Sequence, residues 1–556
     1  MKNHATMEET VMRTLAKIAV VVCFLAGSVT AQTLIRVPQD QPTIQAGINA
    51  ANTGDTVLVS EGTYVENIKI NKKIVLASWF VRDDSISHIS KTIINGSLPA
   101  HADSGSVILI TKGADSTTVV SGFTITGGTG TRTVYDVSYT WKEGGGILLH
   151  GGGATISHNV ITGNVVSTTY GSNGGGIAMF PRDTTLSYWI IEDNVIRENE
   201  VFTSAFSTYA AQGAGALLTE QGRFTTNVVT NNRSGGNVNV TGAGVYIGTP
   251  DRNWSLPDLS TNIVVANNRI HSNESTMWGG GIAMYAGSTV SRPNVTLLNN
   301  LITRNSATSG AGIHINSGTY ALMNNTVVHN DSGPSGTVSN RAIYLEQSRG
   351  PLSFRMLNNI IWNPEALLEF YLAAGAVPTG NYNIIRNGLA GEGNIDADPD
   401  LEPQSGYYYL RGASPARDAG VWSGSVGGIT LNAPSRDFRD SARAENPDMG
   451  AHEYDPLVNV KRLTTTAIPE NFALDHNYPN PFNPRTKIRY QISEVSKVRL
   501  TIYDVLGREV TTLVNEKLNP GSYEVTWEAA GLPSGIYFYR LRAGEFVETK
   551  KMLLLR

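Results

Sequence analysis

Hydrophobic positions along this chain come in runs of three to five residues, mostly β-branched, each fenced by Gly, Asn, Ser or Thr. Runs so short, bounded by turn residues, predict strands and not helices. From Gly144 to Asn363 they recur in two alternating settings. One follows a small-residue step: Gly144-Gly145-Gly146-Ile147, Gly174-Gly175-Gly176-Ile177, and so on to Gly310-Ala311-Gly312-Ile313 and the degenerate Arg341-Ala342-Ile343-Tyr344. The other lies between two asparagines, from Asn159-Val160-Ile161 with Asn164 to Asn359-Ile360-Ile361 with Asn363. Seven copies at a period of roughly 30 to 35 residues signify a solenoid, a propeller or an array. A propeller blade needs longer strands. One coil of short strands cannot bury its inner face, whereas stacked coils pair strand on strand around a continuous core. Asparagine suits the corners because it tolerates the left-handed conformation and bonds its own backbone. Stacked coil on coil, such asparagines form amide ladders.

Composition changes this picture little. The 57 glycines become turn residues once the repeat is seen, and a net charge of −4 without a basic stripe excludes a nucleic-acid partner. Residues 1–31 read as a signal peptide: Arg13 and Lys17 precede the apolar run Ile18 to Ala26, and Val29-Thr30-Ala31 supplies a small-x-small cleavage site. The single cysteine, Cys23, falls inside it, so no disulfide is expected in the mature chain.

Thr43 to Ala51 is predicted to be a short helix with Ile44 and Ile48 on one face, a natural lid for a first coil. The run Pro42-Thr43-Ile44-Gln45-Ala46, with Gly54-Asp55-Thr56-Val57 and Gly62-Thr63-Tyr64 after it, resembles the N-terminal cap of the pectin-lyase-like right-handed β-helix superfamily. The resemblance implies the fold. It does not choose a function, because that superfamily holds lyases, hydrolases, esterases and non-enzymes. Glu66 is expected to serve the cap and not catalysis.

Insertions in a solenoid gather on one face, often the binding face. The long connections fall between the asparagine half and the next glycine half, mainly in the early coils, and carry Tyr135, Tyr139, Trp141, Tyr170, Phe202, Phe206, Tyr209 and Trp278. Flat rings cover the apolar face of a pyranose, so these eight are the candidate substrate-binding residues, for a polysaccharide partner. Lyases of this fold group acids around Ca²⁺ beside a basic residue, and hydrolases need paired carboxylates. Asp136, Lys142, Glu143, Glu198 and Glu200 are the charges on this face, but they form no catalytic signature. Catalytic residues are therefore not assigned. His150, His158, His271 and His314 read as corner residues and not as a metal set.

The later runs Gly393-Asn394-Ile395-Asp396-Ala397-Asp398-Pro399, Ser414-Pro415-Ala416 with Asp418-Ala419-Gly420, and Asp448-Met449-Gly450-Ala451-His452-Glu453 resemble the closing segment of exported bacterial β-helix proteins with variable surface anchors. Asp396, Asp398 and Asp400 are a candidate Ca²⁺ set, with turn capping as the alternative. Beyond a Thr-rich linker, Lys487 to Ile492 and Val498 to Tyr503 alternate as half-exposed strands do. Asn477-Tyr478-Pro479-Asn480-Pro481-Phe482-Asn483-Pro484, Tyr503-Asp504-Val505-Leu506-Gly507-Arg508 and the terminal Lys550-Lys551-Met552 closely resemble the type A C-terminal sorting domain of type IX secretion cargo. This implies passage through the outer membrane, contact with the secretion machinery and removal of the tail.

The expected architecture is all-β: a right-handed parallel β-helix of about ten coils over 32–455, a linker over 456–470 and a small β-sandwich over 471–556. The protein is expected to be a monomer, secreted or on the outer-membrane surface. Its expected role is to bind or process a polysaccharide on the loop-walled face of the early coils. The alternative is a non-catalytic adhesin whose helix is a spacer.

Overall fold

The computed structural model describes residues 32–555 apart from 137–138, 169–170, 181–186, 204–209, 237–239, 249–260, 286–292, 332–340, 349, 374, 405, 455–458, 464–468, 470, 519 and 530–531. The repeats wind into a parallel β-helix with three long sheets. The first sheet has 12 strands, from Leu34–Val37 to Pro378–Asn381; the second has 11, from Gly62–Val65 to Ile384–Ile385; the third has 10, from Ile68–Ile70 to Leu368–Ala373. Each strand pairs in parallel with its counterpart one coil on, as Ile147–His150 does with Ile177–Phe180. Inward positions such as Ile147, Leu149, Ile161, Ile191 and Met179 are buried in one axial core. Each such side chain contributes about 1.5–3 kcal/mol by leaving water.

Two asparagine columns hold the corners. Asn194 Oδ1 accepts from both the backbone N–H and Nδ2 of Asn159, at 3.0 and 3.1 Å. Its own Nδ2 donates to Ile156 O and to Asn227 Oδ1. The same set of bonds carries the first column on to Asn394, and a second column runs from Asn164 to Asn363. The ladders therefore exist, but the left-handed residue is not the column asparagine. It is the residue before it: His158, Asp193, Thr226, Asn267, Asn299 and Asn324 have φ between 50° and 56°. The column asparagine needs its own N–H and amide aligned along the stacking axis, so the bend falls one residue earlier.

The helix, α1 (Ile44–Ala50), closes the N-terminal end. Thr43 Oγ1 accepts from Ala46 N–H, and the Glu66 carboxylate accepts from Ile44 N–H and Gln45 N–H, both at 2.9 Å. An acid there meets the free donors and positive end of the helix. The closing segment does more than plug the other end. It lies on the outer face of the second sheet, where Tyr408, Leu410 and Met449 pack on Leu301, Val328 and Ile360. It is pinned to the left-handed corner row: Arg443 donates to Asn299 Oδ1, Asn324 Nδ2 donates to Asp448 O, and Asn358 Nδ2 donates to Val421 O.

The C-terminal unit has two four-stranded antiparallel sheets around its own core of Ile488, Tyr490, Leu500, Trp527 and Tyr539. One edge strand, Asn459–Leu463, comes from the stretch expected to be linker and pairs with Gly521–Glu528.

Candidate functional site

The long connections between the second and third sheets form a fin. Their outgoing arms Val165–Thr168, Glu200–Thr203, Arg233–Gly235, Glu274–Trp278 and Ser306–Ser309 pair in parallel, coil on coil. The returning arms Tyr139–Glu143, Gly171–Asn173, Ala211–Gln212 and Val240–Thr241 do the same. Val166, Val201, Ala211 and Val240 pack between the two layers, and Ser172 Oγ donates across them to Phe202 O at 2.8 Å.

A returning-arm residue alternates with those inner positions, so the register Glu143, Asn173, Gln212, Thr241, Trp278, Ser309 faces the other way, one residue per coil. What it faces is fixed by Trp278, whose ring centroid lies 5.8 Å from that of His314 on the outward face of the third sheet. His314 belongs to the outward register Leu148, Ala178, Leu217, Tyr246, Ala283, His314. Fin and sheet thus flank a filled groove parallel to the solenoid axis, whose wall (Glu143 to Ser309) and apolar floor (Leu148 to His314) are nearly fully buried, Trp278 excepted. Asn173 Nδ2 and Oδ1, Gln212 Oε1, Thr241 Oγ1 and Ser309 Oγ, all in nearly fully buried residues, find no hydrogen-bond partner among the described residues.

Toward its late end the floor turns aromatic. Tyr246 stacks on Tyr285 at 5.7 Å, Tyr285 and Tyr344 each meet His314 edge-on, and Tyr344 stacks on Tyr371 at 4.8 Å. The His314 Nδ1 lies 2.7 Å from Tyr285 Oη, and burial pushes this imidazole down to about 3, so it stays neutral. Burial, then Glu346 and Tyr371, raise the Tyr344 phenol. The column comes to the surface at Tyr371, which is 42% exposed on the last strand of the sheet.

Of the eight aromatic residues singled out by sequence, Tyr170, Phe206 and Tyr209 lie outside the described residues, as do the side chains of Tyr135 and Tyr139. Trp141 is on the groove side of the fin but only 4% exposed, in register with Gly171. A Cβ on Gly171 would sit 1.9 Å from the Trp141 ring, so glycine is what lets the indole lie flat on the next coil. Trp278 is half-buried in the groove wall, whereas Phe202 is on the opposite face of the fin with the Arg233 guanidinium 6.0 Å from its ring. The structure therefore does not gather these three into one platform. The floor tyrosines Tyr246, Tyr285, Tyr344 and Tyr371 were missed by the sequence reading. The visible signal was their position, immediately after the first aliphatic residue of the glycine half in Tyr246 and Tyr344.

Among the acids, Glu143 is fully buried in the groove wall, Glu198 pairs with Arg197 at a corner, and Glu200 stands on the fin in register with Arg233. Of the four histidines, only His158 is a corner residue; His150, His271 and His314 are on strands. Asp396 accepts from Asn387 N–H, Asp398 from Asp400 N–H, and Asp400 pairs with Arg411 at 3.3 Å. No group of three His, Cys, Asp or Glu able to hold a metal ion exists among the described residues. Asp396 and Asp398 thus cap turns, and Asp400 is in an ion pair.

A second concavity, of about 340 Å³, lies where the fin ends, lined by Arg304, Asn305, His329, Asp331 and Glu365. His329 Nδ1 is 2.8 Å from Glu365 Oε1, and the imidazole stacks on Tyr408 at 5.0 Å. Arg304 Nε donates to Tyr408 Oη at 2.9 Å. The sequence reading overlooked this cluster because its members come from three coils and a closing segment.

A parallel β-helix with a fin and groove, followed by an antiparallel sandwich, defines a passenger joined to a separate export module. Residues 476–555 match the family described as the secretion system C-terminal sorting domain. The chain is type IX secretion cargo, a secreted or cell-surface bacterial protein. No curated protein matches it. Among solved structures, the tailspike of Pseudomonas phage phi297 is similar over 87% of this chain and 90% of that chain, at 12% identity and a TM-score of 0.23. At that score the overlay transfers neither geometry nor function.

Proposed function

We propose that this is an exported polysaccharide-binding protein whose contact surface is the open end of the aromatic column, where Tyr344 and Tyr371 come to the surface. In this reading residues 1–31 are the signal peptide, 32–455 the passenger, and the sandwich is removed during export. The supporting observation is the stacked pair Tyr344 and Tyr371 at the surface end of the aromatic column, since tyrosine offers an apolar face together with a hydroxyl. The reading is binding and not cleavage. Hydrolysis takes two carboxylates within one site. Glu346 is the acid beside Tyr344, and the coil of the buried Glu143 lies six third-sheet strands away, about 29 Å at parallel-strand spacing.

The test is retention of the full chain on immobilised polysaccharides, with reducing ends and unsaturated products followed in parallel. Retention that is lost in Tyr371→Ala, without new products, supports the proposal. Products would make the protein an enzyme. No retention on any glycan would leave the adhesin reading, in which the helix is a spacer.

A further inference from the structure

Building on that reading, we infer that the concavity at Arg304, His329, Asp331 and Glu365 is a second subsite of the same polysaccharide contact, holding one hydroxyl-bearing sugar ring. Its volume is about 340 Å³. The side chains of His329 and Glu365 are 36% and 43% exposed, so the lining is open to a ligand from solvent. Its polar groups are of both senses. Arg304 only donates and the carboxylates of Asp331 and Glu365 only accept, whereas the neighbouring hydroxyls of a sugar do both. A small cation would meet the Arg304 charge and a small anion the two carboxylates, so neither accounts for the set.

The lining is in place before a ligand arrives. Arg304 and His329 are left-handed corner residues one coil apart, with φ of 54° and 56°. Both rest on the buried Tyr408 of the closing segment: Arg304 Nε donates to its Oη at 2.9 Å, and the His329 ring stacks on its ring at 5.0 Å. Glu365 Oε1 lies 2.8 Å from His329 Nδ1. These contacts aim His329 Nε2 and the terminal nitrogens of Arg304 without a further loss of side-chain freedom on binding.

The last coil joins this pocket to Tyr371. Between Arg197 and Ala216 the chain inserts residues 198–215, which carry two fin arms. Between Trp362 and Leu368 it inserts only 363–367, with no fin arm among these described residues. The wall that elsewhere separates the corner of the second sheet from the third sheet is therefore missing here. Glu365 and Tyr371 are six residues apart, a span of no more than about 22 Å. Exposed Leu367 and Leu368 lie between them. One extended glycan can touch both ends of that span.

The experiment measures binding of the full chain to β-glucan, xylan, mannan and polygalacturonate and to their disaccharides. Two linked contacts predict tighter binding to a polymer than to its disaccharide. Arg304→Gln and Glu365→Gln should each weaken polymer binding about ten-fold, with the melting temperature unchanged because both side chains are exposed. Tyr408→Phe keeps the ring under His329 but removes the acceptor of Arg304, and should weaken binding as well. A direct readout is chemical protection. Saturating polymer should slow acylation of His329 by diethyl pyrocarbonate, read by mass spectrometry, and leave the exposed His101 reacting as before. Polymer binding that is lost in Tyr371→Ala but unchanged in Arg304→Gln and Glu365→Gln, with His329 unprotected, overturns the inference while the polysaccharide reading stands. No binding to any of the four polymers overturns both. New reducing ends that vanish in Glu365→Gln also overturn it, because Asp331 and Glu365 would then be a catalytic pair.

Discussion

Asn363 hands the second asparagine column to Glu369: Oε1 of the carboxylate accepts the Asn363 backbone N–H at 2.6 Å, and Oε2 accepts its Nδ2 at 2.7 Å. Where another coil would have supplied an amide, a buried acid ends the ladder. Burial raises the pKa of this carboxyl, while the two Asn363 donors and Arg386, 3.8 Å away, hold it down. Glu369→Ala leaves two buried donors without acceptors, at about 1–3 kcal/mol each. The expected result is a clear drop in melting temperature. Glu369→Gln should lose less, because one amide oxygen takes both donors everywhere else in the columns. Differential scanning calorimetry of the three proteins decides.

Within the ladder the same substitution removes more. Asn273 Oδ1 accepts two bonds from Asn232, and its Nδ2 donates to Val229 O and Asn305 Oδ1. Asn273→Ala should cost about 3–5 kcal/mol. Because each coil touches only its neighbours, the loss should be local. Hydrogen exchange should rise in the coils of Asn232, Asn273 and Asn305 and stay low near α1.

Acid should destabilise the β-helix. Burial first, then nearby arginines for His271 and His452, holds His271, His314 and His452 at about 3, against 6.5 for a free imidazole. Below pH 6.5 the unfolded chain takes up protons that the folded one refuses, so stability present at pH 7 is lost as pH falls toward 3. Asp448 runs the other way. Burial lifts it to about 6, so its contribution is complete below its ordinary 3.8 and lost as pH rises through 6. Three imidazoles outweigh one carboxyl, and the melting temperature should fall between pH 7 and pH 5. His452 sits among the rings of Tyr409 and Phe438, its nearest polar neighbour the Tyr408 backbone, so His452→Phe should keep the packing and flatten the slope.

Export should depend on the sandwich and not on the groove. The last strand, Phe546–Leu554, pairs along its length with Gly535–Ala543 and puts Met552 and Leu554 into the core. Truncation before Phe546 should keep the protein from reaching the medium or cell surface, while Tyr371→Ala should be exported normally. Cell fractionation and immunoblotting give the answer.

The coil repeat was legible because each strand carries its own evidence: Ile147, Ile177 and Ile282 follow small residues, and Asn159, Asn194 and Asn227 recur in phase. The first glycine of each step, such as Gly144 at φ 60°, needs the left-handed region, and the third lies against the next coil's backbone. The fin was not legible. Ala211–Gln212 and Val240–Thr241 are two residues long, with no alternation to detect, and only pairing across coils makes them strands. The groove was hidden for the same reason. Asn173 and Thr241 look like loop residues until register places them in one wall, and Tyr285 and Tyr344 meet His314 only once successive coils lie one on another.

Successive members of the first column are 35 residues apart at Asn159 and Asn194, 41 at Asn227 and Asn268, and 25 at Asn300 and Asn325. The amides nevertheless meet at the same bond lengths. A corner that locks phase independently of what was threaded between corners makes the chain tolerant of insertion and deletion. Descendants of this gene can lengthen, shorten or exchange the connecting segments one coil at a time, and the core never changes frame.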